Sequence, residues 1–234
     1  MLDWTLFTKI TSLALVDAVN VCAFAVLITL LVNILASNLN KPKKVLTTGL
    51  SFITAIFLTY LLYAYVLIQF FSTLTTTIKG FSRYFYVIFS IIAMSIGALN
   101  IKDFFIYKRG SLGTEMPLSM RPKVQRLIHK VTSPKGAFII GMFVTLFLLT
   151  CTVWPLMIAA GLLADYGFIK ALPWFVYYNF LFVLPMIIIT IAIYAGSTTI
   201  KNIEYWKKKN TKLMHLIGGG LLFLVGLALL MGWI

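Results

Sequence analysis

The sequence predicts an all-α integral membrane protein with six transmembrane helices, arranged as two inverted three-helix repeats. Three observations lead to this fold class. Of the 234 residues, 61% are hydrophobic and 11% are charged, whereas a soluble domain carries roughly 25% charged residues. Six apolar runs are each long enough to cross a bilayer core of about 30 Å as a helix. The basic residues are concentrated in alternate loops between these runs.

The apolar runs leave almost no chain for a soluble domain. They are separated by polar, basic or proline-containing breaks, of which the third is the longest. No small-residue cleavage site follows the first run, so we expect a retained helix and not a removed signal peptide. The predicted spans are residues 10–36, 45–72, 84–106, 136–163, 173–197 and 212–234.

The distribution of Lys and Arg predicts the orientation of the chain in the plasma membrane. Of the 20 basic residues, sixteen lie on the side of the first, third and fifth loops and four on the side of the termini. Because cytoplasmic loops are enriched in Lys and Arg, we expect both termini outside the cytoplasm. The net charge of +14 then reflects topology and contact with anionic lipid headgroups, and we expect the lipid bilayer and no nucleic acid as a partner.

The long third loop divides the chain into two halves. We assign residues 1–107 to a first three-helix repeat, 108–135 to a cytoplasmic linker with an amphipathic segment at 123–131, and 136–234 to a second repeat. An odd number of spans per half makes the second half enter the membrane in the opposite sense to the first, as in inverted-repeat transporters.

The only two cysteines of the chain mark the candidate site. Each half opens with a span that carries one of them, Cys22 or Cys151, and an inverted two-fold axis would bring both to the midplane. A disulfide needs Cα atoms about 4.4–6.8 Å apart, so small or broken segments must flank the thiols. Pro155, four residues after Cys151, disturbs the helix there. The alternative is that both cysteines are small buried hydrophobic residues.

Asp17 is a carboxylate within a predicted span, and intramembrane acids are functional candidates by default. In an unbroken helix Asp17 and Asn20 share a face, but Asp17 and Cys22 lie about 140° apart. Asp17 can therefore accept a proton from Cys22 only if the helix unwinds between them; otherwise it is a local cap or a polar contact. Cys22 shares a face with Thr29 and Asn33, which predicts either a wet path or interhelical hydrogen bonds.

The remaining glycines and histidines are assigned structural roles. His129 and His215 lie near predicted loop boundaries, where we expect solvated side chains. Two cysteines and two separated histidines are too few for a metal centre, so we expect no metal and no cofactor. Several glycines are predicted to form close-packing or hinge surfaces, since no strand precedes them as a nucleotide-binding loop would require. These glycines are Gly136 with Gly141, and Gly218, Gly219 and Gly220 with Gly226.

Three stretches resemble the CcdA family, relatives of the membrane domain of DsbD. They read DAVNVCAFAVL at Asp17–Leu27, GALNIKDFF at Gly97–Phe105 and CTVWPLMIAAGLLA at Cys151–Ala164. The resemblance implies a thiol-disulfide oxidoreductase-type electron transporter with Cys22 and Cys151 as its redox pair. Such a protein takes electrons from cytoplasmic thioredoxin and delivers them, by alternating access, to extracytoplasmic thioredoxin-like proteins that serve cytochrome c maturation.

The chain departs from the family pattern at residues that shape the site. The family usually has a proline immediately before each reactive cysteine, where this chain has Val21 and Thr150. Trp154 stands where a glycine commonly precedes the retained Pro155, and we expect it to pack at the site. Because an interior proline disfavours a helix by about 3 kcal/mol, we expect straighter helices here and a transporter less able to switch.

Two other functions are alternatives. A small-solute or metal-ion exporter on the same inverted-repeat scaffold would line its path with Asp17, Asn20 and Asn33, and its cysteines would be incidental. A quinone-linked thiol oxidase is the weaker alternative, because it would normally need further cysteine pairs, and the sequence contains none.

Overall fold

The part of the chain that the structure describes is nearly all helical, which confirms the all-α class. The computed structural model describes residues 4–19, 26–31, 33–34, 42–77, 81–106, 119, 121–129, 133–195 and 200–231. These contain α1 (Trp4–Ala18), α2 (residues 26–31 and 33–34), α3 (Pro42–Thr77), α4 (Phe81–Phe105), α5 (Arg121–His129), α6 (Pro134–Leu163), α7 (Phe168–Tyr194) and α8 (Ile200–Leu230). A 3₁₀ turn, Ala164–Tyr166, follows α6.

Four of the described helices contain stretches long and apolar enough to cross a membrane. The two parts of α6, Pro134–Leu148 and Thr152–Leu163, add a fifth if they cross as one span. The chain is therefore a multi-pass membrane protein by length and composition of its helices. The predicted first span, 10–36, includes residues outside the described ranges, so the count of six stays a prediction. The four stretches are Lys43–Leu74, Val87–Phe105, Phe168–Tyr194 and Lys209–Leu230.

The surface of α3 shows which side of a helix faces lipid. Four large apolar side chains on this helix are each at least 50% exposed, and their spacing of four residues places them on one face. A soluble monomer rarely exposes a contiguous apolar patch of this kind, so this face is suited to contact acyl chains. The four residues are Leu58, Leu62, Val66 and Phe70.

Local sequence signals define the ends of α6 and the start of α7. Ser133 is the N-cap of α6, and its hydroxyl oxygen accepts a hydrogen bond from the Gly136 N–H at 3.2 Å. Pro134 follows in the first turn, where its missing N–H has no cost. Gly167, with φ of +72°, separates the 3₁₀ turn from α7, and a side chain there would be strained.

Two predicted breaks differ from the structure. The basic run at residues 207–210 lies inside α8, which begins at Ile200 and not at residue 212. Pro173 similarly lies inside α7, which begins at Phe168. Lysine is a good helix former with a long side chain that reaches water from the end of a span. Basic residues therefore mark a membrane boundary in this chain without ending the helix.

The predicted amphipathic segment is confirmed as α5, although its bounds are Arg121–His129 and not 123–131. Val124 and Ile128 are buried, while Lys123 and Arg126 are exposed. The Nδ2 of Asn33 donates to the carbonyl oxygen of Ile128 at 3.1 Å. Because the last carbonyls of a helix lack helical partners, this bond satisfies the end of α5. Asn33 thus has the interhelical role that was one of its two interpretations.

The helices pack in a defined set of pairs. α4 packs along α8, α3 packs on both α6 and α7, and α1 contacts α6, α7 and α8. At the α4–α8 crossing, a Cβ added to Gly97 would lie 2.8 Å from the carbonyl oxygen of Gly219, and a Cβ at Gly219 would lie 2.8 Å from that of Gly97. The predicted close packing is confirmed at Gly141, Gly219 and Gly226, whereas a Cβ added to Gly218 or Gly220 would meet no atom of another helix within 4 Å.

We predict that Gly219→Ala destabilises the bundle while Gly218→Ala, one residue earlier in the same helix, does not. The added methyl at residue 219 would meet the α4 backbone, and such overpacking costs about 1–3 kcal/mol. At residue 218 the methyl enters open space, and replacing a helical glycine gains about 0.5–1 kcal/mol. Thermal unfolding in detergent measures both. Equal shifts of Tm in the two variants would contradict the close crossing.

Candidate functional site

The most unusual feature of the backbone lies at the predicted redox residue Cys151. The two parts of α6, Pro134–Leu148 and Thr152–Leu163, meet at an angle of 85°. Thr150 and Cys151 belong to the turn between them. The expectation of a straighter helix through this site is therefore wrong for α6. Of these two residues the structure describes only the backbone, and Asn20, Val21 and Cys22 lie outside the described residues.

Two residues near the turn favour a bend in α6, although residue 150 is not a proline. Pro155 has no N–H, so the carbonyl of Cys151, four residues earlier, loses its helical donor. The hydroxyl of Thr152 donates to the carbonyl oxygen of Leu148 at 3.1 Å. Back-bonding of this kind often bends helices. Both effects act on the turn that carries Cys151.

A tyrosine of α3 holds the bent turn. The Tyr60 hydroxyl forms a hydrogen bond with Oγ1 of Thr152, and Tyr60 is the donor because the Thr152 proton already goes to Leu148. The Tyr60 side chain is fully buried, and its ring stacks on Phe182 of α7 with centroids 4.7 Å apart. One side chain therefore joins α3, α6 and α7 next to the predicted redox residue.

Two residues follow the bend closely in α6. Trp154 is half-buried and packs against the hydrophobic core. Pro155 is buried. Aromatic residues of membrane proteins concentrate at the interfaces, so a tryptophan packed on the core beside the bend differs from that pattern. Its packing at the site stays a prediction.

Asp17 lies inside the bundle, in the last turn of α1. Its side chain is 1% exposed, and its Oδ2 accepts a hydrogen bond of 2.9 Å from the Tyr178 hydroxyl of α7. The C-terminal end of a helix carries partial negative charge and disfavours a carboxylate, so Asp17 does not cap its own helix. Of the predicted roles, polar contact between helices is the one the structure shows.

Asn179 is a site residue that the sequence reasoning missed. It is 0% exposed, and neither its amide nitrogen nor its amide oxygen has a hydrogen-bond partner among the described residues. The signal was present, because polar side chains within membrane spans are functional candidates as intramembrane acids are, and residue 179 lies inside the fifth predicted span. Tyr178 offered no such signal, since it lies near the start of that span and tyrosine is common near the interfaces, whereas Tyr60 lies near the middle of the second predicted span.

The prediction of a solvated His215 is wrong. This histidine is 3% exposed, and its Nδ1 lies 2.9 Å from Oδ1 of Asn100 in α4. The Asn100 Nδ2 donates to the carbonyl of Ile96, so Oδ1 is the acceptor and His215 Nδ1 carries the proton of this bond. The error has a simple cause: α8 begins at Ile200, so residue 215 lies well within the helix and packs on α4.

The described residues define a nearly all-helical, multi-pass membrane protein with one sharply bent helix and buried polar contacts between its helices. Among the described residues, no three His, Cys, Asp or Glu side chains gather as metal ligands would. Comparisons with protein-family models, with curated proteins and with solved structures find no match to this chain. Its likeness to the CcdA family thus remains a resemblance of three sequence stretches.

We predict that Tyr178→Phe destabilises the protein more than Tyr177→Phe, the neighbouring substitution in α7. The first leaves the buried Asp17 carboxyl without its tyrosine donor, a loss of about 1–3 kcal/mol. The second removes a bond between Tyr177 and Thr11 that is only partly buried, worth about 0.5–1.5 kcal/mol. Unfolding in detergent gives both values. A larger loss for Tyr177→Phe would show that the Asp17 contact does not hold α1 to α7.

Proposed function

We propose that this protein is a membrane electron transporter that passes reducing equivalents by thiol-disulfide exchange through a Cys22–Cys151 pair. The observation that carries the proposal is the 85° bend at the turn of Cys151, which Tyr60 holds inside the bundle. Non-helical backbone at membrane depth is tolerated only against protein or a water-filled cavity. A break of this kind beside a cysteine suits a thiol that partner proteins must reach.

The pattern of helix packing supports an arrangement of six spans in two inverted repeats. A two-fold axis would exchange α1 with α6, α3 with α7 and α4 with α8. Under this exchange the pair α3–α6 becomes α7–α1, and α1–α8 becomes α6–α4; all four pairs are in contact. The pairs α1–α6, α3–α7 and α4–α8 map onto themselves and are also in contact. These packing pairs fit the inverted symmetry that we propose, whereas the minor α3–α4 contact has no α7–α8 counterpart of equal extent among the described residues.

The polar contacts follow the same exchange. In the first half Tyr60 of α3 donates to Thr152 of α6, and in the second half Tyr178 of α7 donates to Asp17 of α1. In each case the second long helix of one half binds the first helix of the other. Thr152 follows Cys151 directly, and Asp17 precedes Cys22 by five residues. Related contacts at residues close in sequence to both cysteines support a two-part site with related halves.

The proposed reaction is a pair of balanced exchanges. A thiolate of reduced cytoplasmic thioredoxin attacks the Cys22–Cys151 disulfide, and the mixed disulfide is resolved by the second thioredoxin thiol. Thioredoxin leaves oxidised, and the chain keeps two thiols. These thiols then reduce the disulfide of an extracytoplasmic thioredoxin-like protein by the same two steps. Each cycle carries two electrons and two protons. Alternating accessibility of the thiols separates the two exchanges, and the difference in reduction potential between the two partners sets their direction.

We propose the plasma membrane and an outward position of both termini on the basis of charge. Exposed lysines and an exposed arginine lie near the start of α3, the end of α4, on α5, and near the starts of α6 and the apolar part of α8. Alternating spans bring these ends to one side, where basic residues favour the cytoplasm. The residues are Lys43, Lys102, Lys123, Arg126, Lys135, Lys209 and Lys212.

A small-solute or metal-ion exporter is the second candidate. The buried polar side chains of Asp17 and Asn179 favour it, because intramembrane polar residues often line transport paths. Asn33 weakens it, since its amide donates to α5 where that hypothesis needs it to line a path. The two candidates differ in one requirement: only the electron transporter needs the cysteines to form a disulfide.

We predict that Cys22 and Cys151 form a reversible disulfide. Alkylation with a mass tag after oxidation should add no tag to the wild-type chain, and two tags after treatment with a reductant. Cys22→Ser and Cys151→Ser should each take one tag in both conditions. A single-cysteine thioredoxin should be captured by one of these two variants. Absence of the disulfide under every redox condition would exclude the electron-transporter hypothesis and favour the exporter hypothesis.

We further predict that Pro155→Ala lowers the accessibility of the Cys151 thiol. The substitution restores a donor for the Cys151 carbonyl and favours a straighter α6. In a Cys22→Ser background, alkylation by a water-soluble maleimide should slow by roughly tenfold, the effect of about 1.4 kcal/mol on an equilibrium. Pro185→Ala, which replaces a proline inside α7, serves as the matched control. Equal rates in both variants would exclude the bend as the source of thiol access.

A further inference from the structure

The interface between α3 and α7 is antiparallel. The Tyr60 ring stacks on Phe182 at 4.7 Å between centroids, and the Tyr65 ring meets Phe168 edge-on at 4.8 Å. Residue numbers therefore rise along α3 as they fall along α7. The two aromatic contacts delimit a segment of the interface, formed by residues 60–65 of α3 and 168–182 of α7, which we call the α3–α7 segment.

Two buried polar groups without protein partners lie in the α3–α7 segment. Asn179 is 0% exposed, and neither atom of its amide has a partner in the described part of the chain. The same holds for the buried hydroxyl oxygen of Tyr63. Asn179 precedes Phe182 by three residues, and Tyr63 follows Tyr60 by three, each step being about 4.5 Å along a helix. In antiparallel helices both steps lead the same way, so both groups lie about one turn from the Tyr60–Phe182 contact, on the same side of it.

This level of the bundle also contains a carboxyl group. Tyr178, next to Asn179 on α7, donates to Asp17 at 2.9 Å, and α1 packs against α7. Phe175 and Phe182, which share a face of α7 with Asn179, are each 1% exposed. The amide is therefore directed into the bundle and not towards lipid. Polar groups in such a position nearly always have a partner, and ordered water supplies one where protein does not.

We propose that Asn179 and Tyr63 line a buried water-binding site between α3 and α7, at the level of the Asp17–Tyr178 pair. An amide supplies two donors and an acceptor, and a phenol supplies one donor and acceptor capacity. A water molecule, with two donors and two acceptors, complements both. The site provides hydration inside the bundle beside Asp17. The proposal does not depend on whether the protein carries electrons or a solute, because the site requires neither cysteine.

The first test uses water itself as the probe. Cys22→Ser with Cys151→Ser yields a cysteine-free chain, into which Asn179→Cys or Val183→Cys is introduced. Val183 is the matched control, because it lies one helical turn from Asn179, is buried and is close to cysteine in size. Transfer into D₂O converts S–H to S–D only where water reaches the thiol, and the infrared S–H band reports the rate. We expect faster exchange at residue 179, because a dry buried position exchanges only through local opening of the structure. Equal rates, or slower exchange at residue 179, overturn the proposal.

A second measurement covers the case in which a cysteine at residue 179 disturbs the fold. Asn179→Leu, Tyr63→Phe and the double variant form a thermodynamic cycle read from Tm in detergent. With a shared water, Asn179→Leu should lower Tm by about 2–4 °C in the wild-type chain and have little effect in Tyr63→Phe, since partners in one network are not additive. Additive effects of either sign overturn a shared site. Because both wild-type cysteines stay intact in this cycle and are absent from the first test, neither result depends on electron transport.

Discussion

The contacts of Tyr60 are the interaction on which the rest of the site depends. In lipid, a helix can bend sharply only if the freed backbone is buried against protein or water. Tyr60 packs the bent part of α6 against protein by donating to Oγ1 of Thr152, while its ring stacks on Phe182 of α7. The central helix α3 thereby holds a distorted partner on one side and a regular one on the other. The turn of Cys151 is placed by this contact, not by proline at residue 150.

The hydrogen bond from Tyr178 to Asp17 is the corresponding contact in the other half of the chain. Each tyrosine crosses from the second long helix of one half to the first helix of the other. Interhelical hydrogen bonds in membrane bundles contribute only about 0.6 kcal/mol on average. Two such bonds orient the first helices without locking them. This combination is what alternating access would need, because the helices beside the thiols must be ordered in each state and still exchange between states.

Several parts of the fold follow from local patterns. Apolar run length predicts the membrane class, and the alternation of basic and apolar residues predicts α5, whose Val124 and Ile128 are buried. Small residues predict the close crossing at Gly219. Helix ends are harder to predict from the sequence, because lysine favours a helix and also marks polar boundaries. The basic run at 207–210 is helical in the structure, although its polarity predicted a loop. The burial of His215 was not predicted for the same reason.

The sequence by itself determined that this protein is a helical membrane protein, that its thiol chemistry is limited to Cys22 and Cys151, and that Asp17 is an uncommon residue for its depth. Tertiary structure alone decided which groups meet. Tyr60 and Thr152 are 92 residues apart in the chain, and Tyr178 and Asp17 are 161 apart. Helical periodicity tells which side chains share a face of one helix, but it does not tell which residues of another helix pack against that face. The partners of polar residues therefore emerge only when the helices pack.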